Sequence, residues 1–260
     1  MTIRKKHGRV IDQTIRINTT PQRVFEAWAD PQKLANWFVD RAEGDGRAGN
    51  TMRWFFDEFG YVMDIPVVEA EPGKRFSVAG DDGPDGMPYL MEITITKEGG
   101  ETVMNLVNSG FSEDPKKDDT FEGTVSGWKN ALMTMKVWLE NYPMRTRHHD
   151  LVVRPANWTR EALRDLYATR EGRRRWMDPD LRSNADVLCD TGTEVTLSLP
   201  ERDGIVAIKA FNMGPQYYVG IDLMTWPDAG ATAEDGKPRI NRALDRLMPL
   251  LAGATTAPAR

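Results

Sequence analysis

The chain has 260 residues, of which 40% are hydrophobic and 28% charged, and its net charge is −5 at pH 7. This is the composition of a soluble globular protein and excludes a disordered tail, a collagen-like repeat and a membrane bundle. The negative charge gives no sign of nucleic-acid binding. The single cysteine, Cys189, excludes an internal disulfide, and we expect it to be a buried small hydrophobic residue in a reducing cytoplasm. The basic start of the chain lacks an apolar segment, so we expect neither a signal peptide nor membrane insertion.

The first half of the chain reads as strand, two short helices, a run of strands and one long helix. Residues 10–17 alternate as a strand does, and Thr20-Pro21 begins a helix, because threonine caps free amides and proline suits the first helical position. An Asp30-Pro31 break separates the two short helices. Further strands are predicted at 51–57, 61–69, 74–79, 89–97 and 101–108, and the long helix at 122–141. This order predicts an α+β fold in which a curved antiparallel sheet buries one face against the long helix.

The second half repeats the opening of the first. Residues 154–177 align with residues 15–38 without a gap, at an offset of 139. The aligned pairs are Thr20 with Thr159, Val24 with Leu163, Trp28 with Tyr167, Ala29 with Ala168 and Trp37 with Trp176. One such match could be a coincidence, and a duplication would require a second match elsewhere in the two halves.

The second match lies in the closing helices of the two halves, where residues 127–142 resemble residues 240–253. Two matches in the same order favour a tandem duplication. We therefore predict a complete unit at residues 1–142, a linker at 143–150 and a reduced, divergent second unit at 151–260. The linker begins with a proline followed by polar residues, which suits a domain boundary.

Five stretches of the first half, in order, resemble a known superfamily. They are TPQRVFEAWADPQKLANWF, the turn and strand at Gly49–Phe55, GYVMDIPVVEAEPGKRF, MEITITKEGGETVMNLVNSGF and EGTVSGWKNALMTMKVWLENY. This set resembles the START-like, birch-pollen-allergen-like superfamily (SRPBCC), in the branch named after homologues of the heat-shock-protein-90 ATPase activator. The resemblance covers about residues 10–142. It implies a helix-grip fold, with a cavity between sheet and long helix that in relatives holds sterols, polyketides or lipids.

Two positions depart from the family pattern. Histidines are common in relatives before Ser-Gly-Phe in the last hairpin and before the Gly-Trp of the closing helix. This chain has Asn108 at the first position and Thr124, Val125 and Ser126 at the second. A proton-transfer role borrowed from those histidines is therefore absent.

The candidate ligand contacts are mostly apolar residues that share strand faces or project from the long helix. They are Trp37, Trp54, Phe56, Tyr61, Met63, Met91, Ile93, Asn105, Trp128 and Met135. Ligand pockets are mostly apolar with a few polar groups that fix orientation, and methionine adapts to irregular contents. The alternative interpretation is that these residues fill a core, because a helix-grip fold places core and cavity wall on the same face.

Other motifs have structural interpretations. Gly44–Gly49 fits G-x-G-x-x-G, but it follows a helical segment and precedes a strand, so it predicts a hairpin turn rather than a dinucleotide site. The three histidines lie in the N-terminal arm or the predicted linker, and no spaced ligand set is present, so we predict no metal and no cofactor. The arginines of residues 170–176 are interpreted as the solvated face of a helix that buries Trp176.

The function we expect is non-catalytic binding of a small apolar, lipid- or polyketide-like ligand by the first unit. One alternative is a cyclase or hydrolase of a polyketide-like substrate, in which burial raises the pKa of Asp64 or Glu92 for acid–base chemistry. Another, implied by the resemblance alone, is a chaperone partner that acts on its ATPase cycle. A homodimer is a further prediction, because a reduced second unit exposes an apolar edge.

Overall fold

Two units make up the chain, Met1–Met144 and Arg145–Arg260, and each contains one antiparallel sheet with helices. The computed structural model describes residues 7–83, 85–178, 186–213, 216–230 and 235–255. Each unit is an α+β structure, in agreement with the predicted fold class.

The first unit is built on a seven-stranded sheet in the order β1-β7-β6-β5-β4-β3-β2. Its strands are β1 (Arg9–Ile17), β2 (Arg41–Gly44), β3 (Thr51–Phe56), β4 (Tyr61–Glu71), β5 (Arg75–Gly80), β6 (Tyr89–Glu98) and β7 (Glu101–Phe111). Its helices are α1 (Pro21–Ala29), α2 (Pro31–Leu34) and α3 (Asp118–Asn141). The sequence predicted all of these elements except β2, which has four mostly exposed residues and no apolar alternation. The glycine motif joins β2 to the antiparallel β3, which confirms the hairpin interpretation.

Thr20 and Asp30 begin the two short helices. The Thr20 hydroxyl accepts a hydrogen bond from the Arg23 amide at 3.3 Å, with Pro21 at the first helical position. The Asp30 carboxylate accepts one from the Gln32 amide at 2.9 Å. These caps satisfy amides that a helix start leaves unpaired, so both helices begin where the sequence places them.

One face of this sheet meets the helices. Gln13 on β1 donates to the Val125 carbonyl of α3 at 2.9 Å. Phe25 of α1 lies edge-on to Phe76 of β5, with ring centroids 6.3 Å apart. The long helix buries the four residues expected from its period, namely Trp128, Leu132, Met135 and Leu139. This packing is the helix grip, and it defines the face of the sheet on which a ligand site can lie.

The second unit has a five-stranded sheet in the order β8-β12-β11-β10-β9. Its strands are β8 (His148–Pro155), β9 (Val187–Asp190), β10 (Glu194–Leu199), β11 (Gly204–Met213) and β12 (Gln216–Thr225). Its helices are α4 (Arg160–Leu163), α5 (Arg170–Arg174) and α6 (Lys237–Thr255), with a π-helical turn at Arg164–Ala168. In both units the first strand pairs with the last, and the strands between follow in reverse order.

The openings of the two units share local contacts. The Trp37 indole donates to the Ala27 carbonyl at 2.9 Å, and the Trp176 indole donates to the Leu166 carbonyl at 3.0 Å. The Thr159 hydroxyl caps α4 as the Thr20 hydroxyl caps α1. Trp176 is fully buried, as its alignment with Trp37 predicted.

Three local expectations for the second half need correction. Strand β8 begins at His148, inside the predicted linker, because residues 148–155 pair along β12. Cys189 is half-buried on the edge strand β9 rather than fully buried. Arg173 is buried, not solvated, because its guanidinium donates to the carbonyls of Tyr167 and Ala168.

A buried charge cluster lies on the sheet of the second unit. The Asp222 side chain is 2% exposed and pairs with Lys209 at 2.5 Å and with His149 at 2.8 Å. Burial alone would raise the pKa of Asp222, but the charge of Lys209 and the contact with His149 outweigh it and hold that pKa well below its usual range. Burial alone would lower the pKa of Lys209, but Asp222 and Glu194 raise it. His149 is therefore packed against a carboxylate, contrary to its predicted place in a linker.

Candidate functional site

Seven aromatic side chains form a continuous group between α3, the short helices and the β3–β4 end of the first sheet. This aromatic cluster consists of Trp28, Trp37, Phe38, Trp54, Phe56, Tyr61 and Trp128. Phe38 lies at its centre: it stacks on Trp128 at 5.1 Å and meets Trp54 edge-on at 5.4 Å. Offset-stacked and edge-to-face pairs of this kind are the favoured aromatic geometries.

The aromatic cluster runs from the core to the surface. Trp28 and Trp37 are fully buried, whereas Phe38 and Phe56 are half-buried. Tyr61, whose ring lies 6.2 Å from Phe56, is 53% exposed. Apolar rings are therefore continuous from the interior to solvent at the β3–β4 hairpin.

A buried amide holds the helix side of the aromatic cluster. The Trp128 indole donates to Asn108 Oδ1 at 3.1 Å, across from α3 to β7. Asn108 Nδ2 in turn donates to the Ser109 carbonyl at 3.3 Å. Asn108 therefore orients Trp128.

Nine of the ten predicted site residues are on the helix-facing side. Trp37, Trp54, Phe56, Tyr61 and Trp128 belong to the aromatic cluster. Met63 is half-buried opposite Trp54, Met91 and Ile93 are buried opposite Asn108 and Leu106, and Met135 is buried on α3. These residues share one face, as alternation predicted; their role in ligand binding stays a prediction.

The predicted position of Asn105 among the helix-facing residues is wrong. Its amide donates to Asp12 Oδ1 at 2.6 Å and to Thr14 Oγ1 at 3.1 Å, and these residues alternate with the helix-facing Gln13. Asn105 therefore lies on the face of the sheet away from α3, because it is three residues from the helix-facing Asn108.

The sequence reasoning missed Phe38 and Trp28 as site residues. Both stand in the opening motif, next to or near residues that it did name. Phe38 follows α2 in a turn, where neither the helical nor the strand period assigns a direction. The feature of the sequence that could have identified Phe38 is its position directly after the aromatic residue Trp37.

The two carboxylates considered for acid–base chemistry are not on the helix-facing side. Asp64 is exposed, and the hydrogen bond from Arg53 Nε at 2.7 Å holds its pKa below the usual range. Glu92 is half-buried and pairs across the sheet with Ser77 and Val107, between the helix-facing Met91 and Ile93. This placement contradicts an acid–base role for either residue in this site.

Among the residues that the structure describes, no group of three His, Cys, Asp or Glu side chains is arranged to hold a metal ion. No helix in the described part of the chain is both long and apolar enough to cross a bilayer.

The antiparallel sheet packed against α3 gives the first unit a helix-grip fold. Residues 18–140 match the family model described as "Activator of Hsp90 ATPase homolog 1-like protein". The resemblance shown by the sequence is thereby confirmed for this segment, which lies within the first unit. No curated protein matches the chain.

Several solved structures are similar to this chain, at about 20% identity over the aligned residues. Protein SSP2350 from Staphylococcus saprophyticus is 19% identical over 50% of this chain and 91% of its own, with a TM-score of 0.44. The Aha1 dimer from Colwellia psychrerythraea is 22% identical over 51% of this chain and 96% of its own, with a TM-score of 0.45. DynU16, a putative protein in the dynemicin biosynthetic locus, is 18% identical over 94% of this chain and 96% of its own, with a TM-score of 0.45.

Proposed function

We propose that the first unit binds a small apolar ligand, lipid- or polyketide-like, between its sheet and α3, without catalysing a reaction. The observation that carries this proposal is the aromatic cluster and its graded exposure. A core that only stabilised the fold would gain from burying every ring, yet Phe38 and Phe56 are half-buried and Tyr61 is exposed. The gradient suits an entrance at the β3–β4 hairpin.

The surroundings of the aromatic cluster also suit an apolar ligand. Met52, Met63 and Met135 lie on the helix-facing side, and flexible thioether side chains adapt to guests of different shape. Asn108 contributes a polar group that is already held in place by hydrogen bonds. An apolar lining with few, fixed polar groups is typical of small-molecule sites.

The second unit is proposed to be a reduced copy of the first. Its strand order and its shared tryptophan and threonine contacts support this proposal. Its described strands include no counterparts of β2 and β3. Since β3 supplies Trp54 and Phe56, ligand binding is assigned to the first unit.

Native mass spectrometry of the purified chain tests the ligand proposal, beside the same sample denatured and extracted with organic solvent. We expect a retained small molecule, or uptake from a mixed panel of lipids and aromatic polyketides. A clean apo mass with no uptake from the panel would contradict the proposal.

A matched pair of variants locates the site. Phe38→Ala removes the central ring of the aromatic cluster and should weaken binding about tenfold, since aromatic contacts add about 1 kcal/mol beyond burial. Phe121→Ala removes another half-buried phenylalanine, which packs on Phe111 and Arg9 outside the cluster, and should leave affinity within about twofold. Equal losses in both variants would show that the effect is one of stability.

A second candidate is a protein-interaction role toward a chaperone ATPase. The description of the family model favours it, and so does the exposed apolar tip of the β3–β4 hairpin, which presents Phe59, Tyr61 and Val62. Purified chain should then stimulate an Hsp90-class ATPase, and Phe59→Ser should reduce the stimulation. Absence of both binding and stimulation would remove this candidate. A homodimer stays a prediction, and sedimentation velocity tests it.

A further inference from the structure

The indole of Trp54 differs from the other indoles of the aromatic cluster in its hydrogen bonding. Trp28 Nε1 donates to a methionine sulfur at 3.2 Å, Trp37 Nε1 to a backbone carbonyl at 2.9 Å and Trp128 Nε1 to Asn108 at 3.1 Å. Trp54 is only 4% exposed, yet its Nε1 is buried and has no hydrogen-bond partner among the described residues. On folding, this donor loses its hydrogen bonds to water and gains none from the described residues.

Such a donor calls for a physical explanation, because nearly all buried polar groups in folded proteins are paired. Leaving one unpaired forfeits the hydrogen bonds that water would make. Substitution of a phenyl ring would supply much of the same apolar surface at this position without that cost. The donor therefore points to a partner that arrives from outside the chain.

The place of Trp54 connects this donor to the ligand site. Its ring meets Phe38 edge-on, and Phe38 in turn stacks on Trp37 and on Trp128 with interplanar angles of 25°. Aromatic side chains therefore surround the donor, and aromatic rings pair favourably with one another in stacked or edge-to-face geometry. The unpaired donor thus lies beside surfaces that favour an aromatic guest.

We propose that Trp54 Nε1 donates a hydrogen bond to a carbonyl oxygen of an aromatic, apolar ligand. This inference rests on the proposed ligand-binding function and specifies its ligand class. A quaternary ammonium ligand would offer the Trp54 donor no acceptor. A carboxylate would lose its hydration for a single neutral donor, which is unfavourable. A ketone or quinone oxygen supplies the acceptor that the Trp54 indole lacks among the described residues.

Two compounds with one carbon skeleton test the inference. Fluorene and 9-fluorenone differ in a methylene or a carbonyl group at a single position. We expect the wild-type chain to bind 9-fluorenone about tenfold more tightly, equivalent to about 1.4 kcal/mol. Trp54→Phe should reduce this preference to within about twofold while leaving fluorene affinity nearly unchanged. The control Trp158→Phe removes an indole that donates to the Tyr218 carbonyl in the second unit, and should keep the preference.

Indole NMR gives a readout on the wild-type chain, so the test does not depend on a variant that folds. With 15N-labelled tryptophan, the Trp54 indole proton should shift downfield on addition of 9-fluorenone but not of fluorene. Equal affinities for the two compounds, with no selective shift of that proton, would overturn the carbonyl inference and leave the proposed function standing. If neither compound binds, the carbonyl inference fails, whereas the proposed function is contradicted only if the mass-spectrometry panel also gives no uptake.

Discussion

The Asp222–Lys209 pair in the second unit yields a prediction that separates charge from packing. Asp222→Leu removes a carboxylate that is 2% exposed and leaves the Lys209 ammonium without its nearest counter-charge. Removing one partner of a buried pair costs about 3–5 kcal/mol. Because Lys209 keeps 27% of its side chain exposed and so retains some hydration, we expect the lower end of that range, about 3 kcal/mol.

The double variant Asp222→Leu/Lys209→Met tests the cause of that loss. It replaces both charges with apolar groups, which is often nearly neutral, so most of the lost free energy should return. The matched control is Asp245→Asn on α6, which breaks an exposed ion pair with Arg154 and should change little.

Hydrogen exchange of the β11–β12 backbone amides in the full chain is the assay. A local readout is needed because a chain of two units does not have to unfold in one transition. A loss of about 3 kcal/mol accelerates exchange from the unfolded state about 150-fold. If the double variant exchanges as fast as Asp222→Leu alone, the uncompensated charge is not the cause and the reasoning is refuted.

The same pair makes stability depend on pH at both ends of the scale. The pKa of Asp222 is lowered on folding, so its contribution is complete above about pH 4 and is lost as the pH falls through the lower folded pKa. The pKa of Lys209 is raised, so its contribution is complete below about pH 10 and is lost as the pH rises through the higher folded pKa. The stability gap between wild type and Asp222→Leu, measured by hydrogen exchange of the β11–β12 amides, should therefore narrow as the pH falls below 4.

Three further predictions concern the first unit. Asn108→Leu should destabilise the chain by about 1–2 kcal/mol in urea unfolding, because the buried Trp128 indole loses its acceptor; an unchanged midpoint would contradict this. Thr20→Ala should cost about 1 kcal/mol and Thr20→Ser only a few tenths, since serine keeps the cap; equal losses would argue against capping. Arg53→Gln should raise the pKa of Asp64 toward 3.8 in a carboxyl NMR titration, and a pKa that does not move would show that Arg53 is not its cause.

Most elements of the first unit were accessible from the sequence, because local patterns encode them. Alternation located the strands, and the cap residues Thr20 and Asp30 located the helix starts. The sequence did not predict strand β2, because this strand is short, mostly exposed and without alternation. The sequence predicted a linker where β8 begins because His148 and His149 are polar, and the contact of His149 with Asp222 forms only when β8 pairs with β12.

The candidate site was only partly accessible for the same reason. Asn105 and Asn108 are three residues apart on β7, so alternation places them on opposite faces of the sheet. Nothing local says which face meets α3, and the choice of Asn105 was wrong. The contact between Asn108 and Trp128 joins residues on separate elements, and sheet order decides it.

The sequence by itself determined the α+β class, the order of the predicted elements in the first unit, the buried stripe of α3 and five of the seven residues of the aromatic cluster. Those features depend on periods of two or 3.6 residues and on capping within one turn. Only the tertiary structure decided that Phe38 lies at the centre of the aromatic cluster, that Asp64 faces away from it and that Asp222 is buried against Lys209. It also leaves the Trp54 indole without a hydrogen-bond partner among the described residues. These outcomes depend on strand order, register and the packing of distant segments, which no local pattern contains.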